Sequence, residues 1–286
     1  MFTIFGATGN TGSIVAQRLL AAGKPVRAVV RDAQKGAALK AKGAELAIGE
    51  IADAAFVARA LAGAENAYLL LPPNMTSNDV LGHNRKITDS FVAALDAGKV
   101  PHAVLLSSIG SQKTSGNGPI AATGYAEVAL QKSKSVLTFV RPAYFMENLL
   151  NNAQAMQAGV LPVFGGGESY PFAMTATRDI GDVAADALLA PPKQTEWIEL
   201  RGPREYSMVD AAAIASEILG RKVTATVLPI EQMVPALTQH GISENMAGLM
   251  REMTEAFAHG LGFEGKGRTL HGKVELADVL RAALKR

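Results

Sequence analysis

The first 140 residues alternate short apolar runs with stretches of helical spacing, and this alternation is the strongest constraint on the fold. The apolar runs are rich in Val, Ile, Leu and Phe, and they cover residues 2–5, 26–30, 45–48, 67–71, 103–106 and 136–140. Most are continuously apolar, which is typical of strands covered by helices on both faces of a sheet. The pattern therefore predicts repeated βαβ units.

Apolar stripes at helical spacing lie between these runs. Two of the stripes consist of Ile14, Val15, Leu19 and Leu20, and of Ile87, Phe91, Val92 and Leu95. Because crossovers between parallel strands are right-handed, these elements predict an α/β protein with a Rossmann-type doubly wound parallel sheet, in the strand order 3-2-1-4-5-6.

Beyond about residue 150 the alternation weakens and helical segments dominate, at 179–189, 207–219 and 243–259. We expect a Rossmann domain over 1–150 and a smaller, mainly helical lobe over 151–286, from which the chain can return to the sheet. Asp179 and Ser207 are predicted helix N-caps, and Ser207 with Asp210 forms an acidic capping box. Residues 264–273 are predicted to form a solvated loop before the last helix.

Composition excludes several classes of protein. With 48% hydrophobic and 19% charged residues, the chain of 286 residues is not of the disordered type. A net charge of +2 without long runs of one sign gives no reason to expect nucleic-acid or membrane binding. The absence of apolar runs near 18 residues and of a basic leader favours a soluble, cytoplasmic protein.

Metal and nucleophilic chemistry are also disfavoured. The chain has no cysteine, which excludes disulfides, thiolate metal sites and cysteine nucleophiles. The five histidines form no His-Glu-x-x-His motif and no close pair, so no metal site is expected. There is no Gly-x-Ser-x-Gly motif and no Walker lysine.

A glycine-rich segment after the first predicted strand carries the clearest chemical signal. Its residues are Gly6, Ala7, Thr8, Gly9, Asn10, Thr11 and Gly12, and an amphipathic helix follows directly. Glycines at these places permit a tight turn and close approach of the backbone to a diphosphate, which meets free N–H groups at the helix start. Thr8, Asn10 and Thr11 can add side-chain hydrogen bonds. The segment predicts a dinucleotide site.

The end of the second strand bears on the choice of dinucleotide. NAD enzymes usually place an acidic residue there, on the ribose 2′-hydroxyl, whereas this chain has Arg31 followed by Asp32. The Arg31 guanidinium can bind a 2′-phosphate, and Lys35 can add a second positive charge. NADP(H) is therefore favoured, and NAD(H) stays open because Asp32 could accept from an unphosphorylated ribose.

The sequence resembles the NmrA-like group of atypical short-chain dehydrogenase/reductases, which includes type 2 NAD(P)H:quinone oxidoreductases and triphenylmethane reductases. The resemblance spans nearly the whole chain. Its marks are the Gly6 to Gly12 segment, Arg31, Gly49-Glu50-Ile51, Leu69-Leu70-Leu71-Pro72-Pro73, Ser107-Ser108 and Arg141-Pro142-Ala143-Tyr144-Phe145-Met146-Glu147-Asn148.

This resemblance implies further contacts with the coenzyme and the acceptor. It places Glu50 and Ile51 beside adenine, and the nicotinamide between Pro72-Pro73 and residues 142–148. The implied coenzyme contacts on the nicotinamide side are Leu71, Pro72, Pro73, Ser107, Pro142, Ala143, Tyr144, Phe145, Met146 and Glu147. A planar acceptor is expected against Tyr144 or Phe145, with Asn148 nearby. Similar proteins also bring the region of residues 264–273 near the pocket.

The chain departs from alcohol-handling relatives in its acid–base residues. Those enzymes use Tyr-x-x-x-Lys, but here Tyr125 is followed four positions later by Ala129. Relatives often carry His or Lys four residues before the position of Glu127, where this chain has Thr123. Tyr125 and Tyr144 are the candidate catalytic residues, with the alternative that Tyr125 and Glu127 merely face solvent.

Without a strong base, direct hydride transfer to an electrophilic acceptor is the favoured chemistry. The prediction is an NADPH-dependent oxidoreductase acting on a quinone or similar conjugated small molecule. The alternative is a non-catalytic NmrA-like redox sensor that binds NAD(P) and grips a regulatory partner. A sugar-nucleotide epimerase is disfavoured, since it needs the Tyr-Lys pair. The oligomeric state is left open.

Overall fold

The computed structural model describes residues 1–284, in which strands and helices alternate as the sequence predicts. The strands are β1 (Phe2–Ile4), β2 (Val26–Val30), β3 (Glu45–Ile48), β4 (Asn66–Leu69), β5 (His102–Leu106), β6 (Val136–Pro142), β7 (Tyr144–Phe145), β8 (Val160–Phe164), β9 (Phe172–Thr175), β10 (Glu196–Arg201), β11 (Glu205–Tyr206), β12 (Thr224–Leu228) and β13 (Arg268–His271).

The helices run between these strands. They are α1 (Gly12–Ala21), α2 (Ala33–Ala41), α3 (Ala54–Leu61), α4 (Val80–Gly98), α5 (Ile120–Leu130), α6 (Ala153–Gln157), α7 (Thr177–Leu189), α8 (Met208–Leu219), α9 (Met233–Gln239), α10 (Glu244–Ala258) and α11 (Leu276–Leu284). Two 3₁₀ segments cover Met146–Asn152 and Ile230–Gln232. None of the helices that the structure describes is both long and apolar enough for a bilayer.

Within residues 1–284, eight strands form one parallel sheet in the order β13-β10-β6-β5-β4-β1-β2-β3. The predicted order 3-2-1-4-5-6 is confirmed, and two strands extend it beyond β6. Successive residues at the end of β1 explain the continuous apolar run. Ile4 joins the core on the side of α1 and α7, whereas Phe5 joins the core on the side of α3, α4 and α5.

The second half of the chain is divided between the sheet and a lobe. Its β10 and β13 extend the sheet, and its α7 packs on α1, where Arg18 pairs with Asp186 at 2.9 Å. The lobe has its own core around Met146, Met174 and Tyr206, with small sheets β11-β9-β7 and β12-β8. The prediction of a loop over 264–273 is wrong, because β13 lies within it and pairs with β10, although most of these residues are exposed as predicted.

The two predicted N-caps have different outcomes. Ser207 caps α8 and forms the predicted capping box with Asp210. Asp179 does not cap α7, which begins two residues earlier with Ala176 as its N-cap. The buried Asp179 carboxylate instead accepts the backbone N–H groups of Lys273 and Val274, both at 3.1 Å. Asp179 thus ties α7 to the chain before α11, a long-range contact that helical spacing does not predict.

A buried histidine links three central strands of the sheet. His102 of β5 contacts the Asn66 Oδ1 of β4 through Nδ1 and the Thr138 Oγ1 of β6 through Nε2, both at 3.0 Å. Burial lowers the pKa of His102 to about 4, although the nearby Glu196 carboxylate opposes this shift. The imidazole is therefore neutral at neutral pH.

Acidification should destabilise the protein through His102. The unfolded imidazole binds a proton below its ordinary pKa near 6.5, whereas the folded one resists protonation down to about 4, so stability falls with pH across this window. We expect a loss of about 2–3 kcal/mol between pH 7 and pH 4.5 from this group, measured by urea unfolding. His102→Gln should reduce this pH-dependent loss of unfolding free energy by the same amount. An equal loss in the wild type and the variant would contradict the prediction.

Candidate active site

Many of the predicted site residues lie in segments that leave the same edge of the sheet. Because β1 to β6 are parallel, the segments that follow them all begin at their carboxyl ends. The chain continues from β1 to β2 on one side and returns to β4 on the other, so the glycine segment lies at the point where the strand order reverses. Ligands bind at this switch point in open parallel sheets.

The glycine segment is folded too tightly for side chains at two of its positions. The N–H of Gly9 donates to the Gly6 carbonyl at 2.9 Å, and a Cβ at Gly12 would lie 2.3 Å from that same oxygen. Gly6 has a φ of +62°, and a Cβ there would lie 2.6 Å from the Leu70 side chain. The turn therefore brings the start of α1 against the end of β1, next to the loop after β4.

The first turn of α1 has neither a side-chain cap nor an acidic residue. Within this turn the N–H groups of Ser13 and Ile14 donate to the Gly9 and Thr11 carbonyls, at 3.0 and 3.1 Å, whereas the Gly12 N–H has no partner among residues 1–284. The Gly12 N–H and the positive end of the helix dipole are thus available to an anion. Thr8, Gly9 and Asn10 are exposed in front of it. These features fit the diphosphate of a dinucleotide.

Thr11 is oriented differently from its neighbours. It is 5% exposed, and its hydroxyl oxygen accepts a hydrogen bond from the Tyr68 hydroxyl at 2.9 Å. Burial raises the pKa of Tyr68, which therefore remains a donor. This bond fixes the start of α1 to β4 and leaves Thr8 and Asn10 as the exposed polar side chains of the segment.

At the end of β2, Asp32 and Arg31 have separate surroundings. The Asp32 carboxylate caps α2 by accepting the Gln34 N–H at 2.8 Å. Arg31 is exposed, and within residues 1–284 no carboxylate lies within salt-bridge distance of it. The guanidinium is thus free for an external anion, whereas Asp32 already has a structural partner.

A cleft of about 170 Å³ joins the glycine segment to α2. Its lining includes Thr8, Ser13, Gln17, Lys35 and Lys42. The structure thus brings the predicted Thr8 and Lys35 together. Sequence reasoning missed Lys42, the residue directly after α2, which lies seven residues, or two helical turns, beyond Lys35 and so on the same side of the helix.

The segment after β3 lies beside the end of β2. The Gly49 N–H donates to the Val30 carbonyl at 3.1 Å, which holds the two strand ends together. Glu50 is exposed, whereas Ile51 is half-buried against the core under α3. Both residues are therefore close in the fold to the strand end that carries Arg31.

The loop after β4 is held by the start of α10. Leu71 and Pro72 are half-buried and Pro73 is exposed. Further along the loop, the Met75 carbonyl accepts the Ser243 N–H at 2.9 Å, and the Val80 N–H donates to Asn245 at 3.0 Å. Contacts between residues this far apart in sequence leave no local signal, and they bring the lobe next to Pro72 and Pro73.

Ser107 and Glu127 belong to a buried polar cluster. The Ser107 hydroxyl donates to Glu127 Oε1 at 2.5 Å, and Glu127 Oε2 accepts from Arg141 Nη2 at 2.6 Å and from Trp197 Nε1 at 2.9 Å. Glu127 is 3% exposed. The alternative that Glu127 faces solvent is wrong, because a tertiary ion pair from β6 compensates the burial of its charge.

Residues 142–145 lead from the sheet into the lobe. Pro142 and Ala143 are buried, and Tyr144 and Phe145 form β7, which pairs with β9. The Tyr144 ring packs edge-on against Phe172, with ring centroids 5.6 Å apart. Burial raises the pKa of Tyr144 to about 12, so its phenol is protonated at neutral pH.

The next three residues have separate environments. Met146 is fully buried in the core of the lobe, and Asn148 is exposed. The Glu147 carboxylate accepts the Thr177 N–H at 3.0 Å and the Thr177 hydroxyl at 2.6 Å, which ties it to the start of α7. Their coenzyme and substrate contacts stay predictions.

Tyr125 lies on the outer side of the α4–α5 pair. Its hydroxyl donates to Asp89 at 2.8 Å, and Arg85 lies over its ring at 5.6 Å from the centroid. The bond to Asp89 raises the pKa of Tyr125, the opposite of what a proton-exchanging tyrosine requires. Its catalytic role stays a prediction that this geometry does not favour.

Solved structures with the same architecture cover the whole chain. An NADPH-dependent quinone oxidoreductase from Escherichia coli, crystallised with NADPH, matches with a TM-score of 0.81, 24% identity and coverage of 99% of both chains. A triphenylmethane reductase from Citrobacter sp. matches with a TM-score of 0.80 and 19% identity, over 100% of this chain and 99% of that one. At these identities the likeness shows the fold.

Sequence comparison gives the family. An NAD(P)H azoreductase from Xenophilus azovorans is 30% identical, over 88% of this chain and 86% of its own length. Quinone oxidoreductase 2 of Escherichia coli (strain K12) is 25% identical, over 88% of this chain and 86% of its own length. The model of the NmrA-like family matches residues 1–275. With the predicted sheet and glycine segment in place, these matches confirm the resemblance: the chain belongs to the NmrA-like family.

Proposed function

We propose that this protein is an NADPH-dependent reductase that transfers a hydride to a quinone or another conjugated small-molecule acceptor. The observation that carries the proposal is the tight glycine turn against the uncapped start of α1, at the switch point of the sheet. The prediction of an oxidoreductase with a nicotinamide coenzyme agrees with relatives named as an NAD(P)H azoreductase and a quinone oxidoreductase.

The chain binds the coenzyme in two places, according to this proposal. The start of α1 holds the diphosphate through backbone N–H groups, with Thr8 and Asn10 as additional donors. Arg31, Lys35 and Lys42 supply positive charge for the 2′-phosphate. The capping bond of Asp32 supports NADP(H) over NAD(H), because this carboxylate is already used within α2.

The nicotinamide half is proposed to lie between Pro72-Pro73 and residues 142–148. Bound NADPH supplies a hydride, which together with one proton from solvent converts a quinone to a hydroquinone. The chain orients the two rings and excludes water. With its pKa at about 12, Tyr144 acts only as a hydrogen-bond donor or acceptor at neutral pH, and a planar acceptor rests against it or Phe145.

The redox-sensor alternative shares this coenzyme site and is supported by the missing Tyr-x-x-x-Lys pair. The reductase names of the relatives favour the enzyme. We place the reaction in the cytoplasm, as predicted from the sequence, with a small molecule as the partner.

Gly12→Ala should weaken NADPH binding at least about tenfold, because the added methyl would lie 2.3 Å from the Gly6 carbonyl and displace α1 from the turn. Gly248→Ala is the matched control, since a Cβ at this α10 position has no neighbour within 4 Å. Titration of protein fluorescence with NADPH measures both. Wild-type affinity in Gly12→Ala would contradict the assignment of the diphosphate site.

Arg31→Ala should weaken NADPH binding about tenfold to a hundredfold and leave NADH binding unchanged, because a charge-assisted bond to the 2′-phosphate is lost. The control is Arg59→Ala, because Arg59 lies in the last turn of α3, away from the carboxyl ends of the strands where the coenzyme is proposed to bind. The two dissociation constants can be measured by calorimetry. An unchanged NADPH/NADH ratio would refute the role of Arg31.

Purified protein should oxidise NADPH in the presence of a benzoquinone or an azo dye, faster than the protein-free mixture and faster than with NADH. Loss of nicotinamide absorbance measures the rate, and Gly12→Ala serves as the inactive reference. If NADPH binds tightly but the rates equal those of the protein-free control across several quinones and dyes, the reductase proposal is refuted and the redox-sensor alternative is favoured.

A further inference from the structure

One buried arginine links the carboxyl end of β6 to two carboxylates from distant parts of the chain. Arg141 donates to Glu127 through Nε at 2.8 Å and Nη2 at 2.6 Å, and to Glu264 through Nη1 at 2.9 Å. The side chains of Arg141 and Glu127 are 3% and 4% exposed, whereas that of Glu264 is 42% exposed. Glu264 is thus the accessible member of the cluster.

Glu127 has no acceptor capacity left for a role in proton transfer. In addition to the two bonds from Arg141, it accepts the Ser107 hydroxyl and the Trp197 indole N–H. These four bonds hold a carboxylate in place and balance the guanidinium charge. A third N–H of Arg141, on Nη1, donates to Glu264.

The segment that carries Glu264 has anchors that do not involve its side chain. Glu199 Oε1 accepts the backbone N–H groups of Glu264, Gly265 and Lys266, at 3.1, 2.8 and 3.2 Å. Gln112 donates to the Gly262 carbonyl at 2.9 Å. Removal of the Glu264 carboxylate therefore leaves the segment attached and affects mainly Arg141.

Arg141 directly precedes the residues proposed to face the nicotinamide. Pro142 ends β6, and the Ala143 N–H donates to the Leu200 carbonyl at 2.9 Å. A buried side chain held on both sides fixes the backbone from which Pro142 and Tyr144 project. Small displacements of groups that orient reacting partners lower rates strongly.

We propose that Glu264 is a positioning residue for the nicotinamide half of the site, which acts through the buried Arg141 on residues 142–145. This inference rests on the proposed function. It assigns a specific role to Glu264, in a segment that the sequence predicted as a solvated loop and that the family resemblance placed near the pocket. The adenosine half, at the start of α1 and at Arg31, is independent of Glu264.

The test compares Glu264→Ala, Glu264→Gln and the control Glu45→Ala. Glu45 pairs with Arg27 at 2.7 Å on the outermost strand β3, and its side chain is 52% exposed. The measurements are kcat/KM with NADPH and a benzoquinone, the dissociation constants of NADPH and of adenosine 2′,5′-bisphosphate, and the thermal unfolding midpoint.

Glu264→Ala should lower kcat/KM about tenfold and weaken NADPH binding about threefold. Glu264→Gln should recover part of both, because its amide oxygen still accepts from Arg141. Binding of adenosine 2′,5′-bisphosphate, which lacks the nicotinamide, should stay at the wild-type value in every variant, and Glu45→Ala should match the wild type throughout.

Two results would overturn the inference: wild-type kinetics and binding in Glu264→Ala, or an equal weakening of NADPH and of adenosine 2′,5′-bisphosphate, which indicates general loosening. Failure of the proposed function looks different. A wild-type protein that binds NADPH but reduces no acceptor would refute the reductase, while the comparison of the two ligands would still decide the role of Glu264.

Discussion

The close contact between the Gly12 backbone and the Gly6 carbonyl sets the geometry on which the coenzyme site depends. A helix that begins this near the end of a buried strand directs its amino end at the switch point of the sheet. The Tyr68 to Thr11 bond fixes this arrangement from β4. An anion at that point is favoured by the helix dipole without any charged side chain in the turn.

A second constraint lies under the proposed nicotinamide half of the site. The Glu127 to Arg141 pair is almost fully buried, and loss of one partner from such a pair costs about 3–5 kcal/mol because the other charge is left uncompensated. The acid–base residues of relatives are missing here, because Ala129 stands at the lysine position of the Tyr-x-x-x-Lys pair and Thr123 stands where relatives often carry His or Lys. Glu127, which lies between them in sequence, is used in the ion pair. This arrangement suits hydride transfer to acceptors that need no strong base.

Much of the sheet domain follows from local sequence. The six predicted strands and their order are confirmed, because continuous apolar runs between amphipathic helices leave few alternatives to a doubly wound sheet. The Ser207 capping box is also local and is confirmed. The Asp179 cap and the loop over 264–273 were wrong for a common reason: both segments are held by partners more than 60 residues away.

The sequence by itself determined the parallel sheet, the glycine turn and the charged end of β2, since each depends on residue type and spacing within one βαβ unit. Only the tertiary structure decided which polar groups are bonded within the protein and therefore stabilise the fold. Asp32 caps a helix, Tyr125 bonds to Asp89, and Glu127 is buried against Arg141. The physical reason is that burial and pairing depend on elements brought together from different parts of the chain, and no local pattern records them.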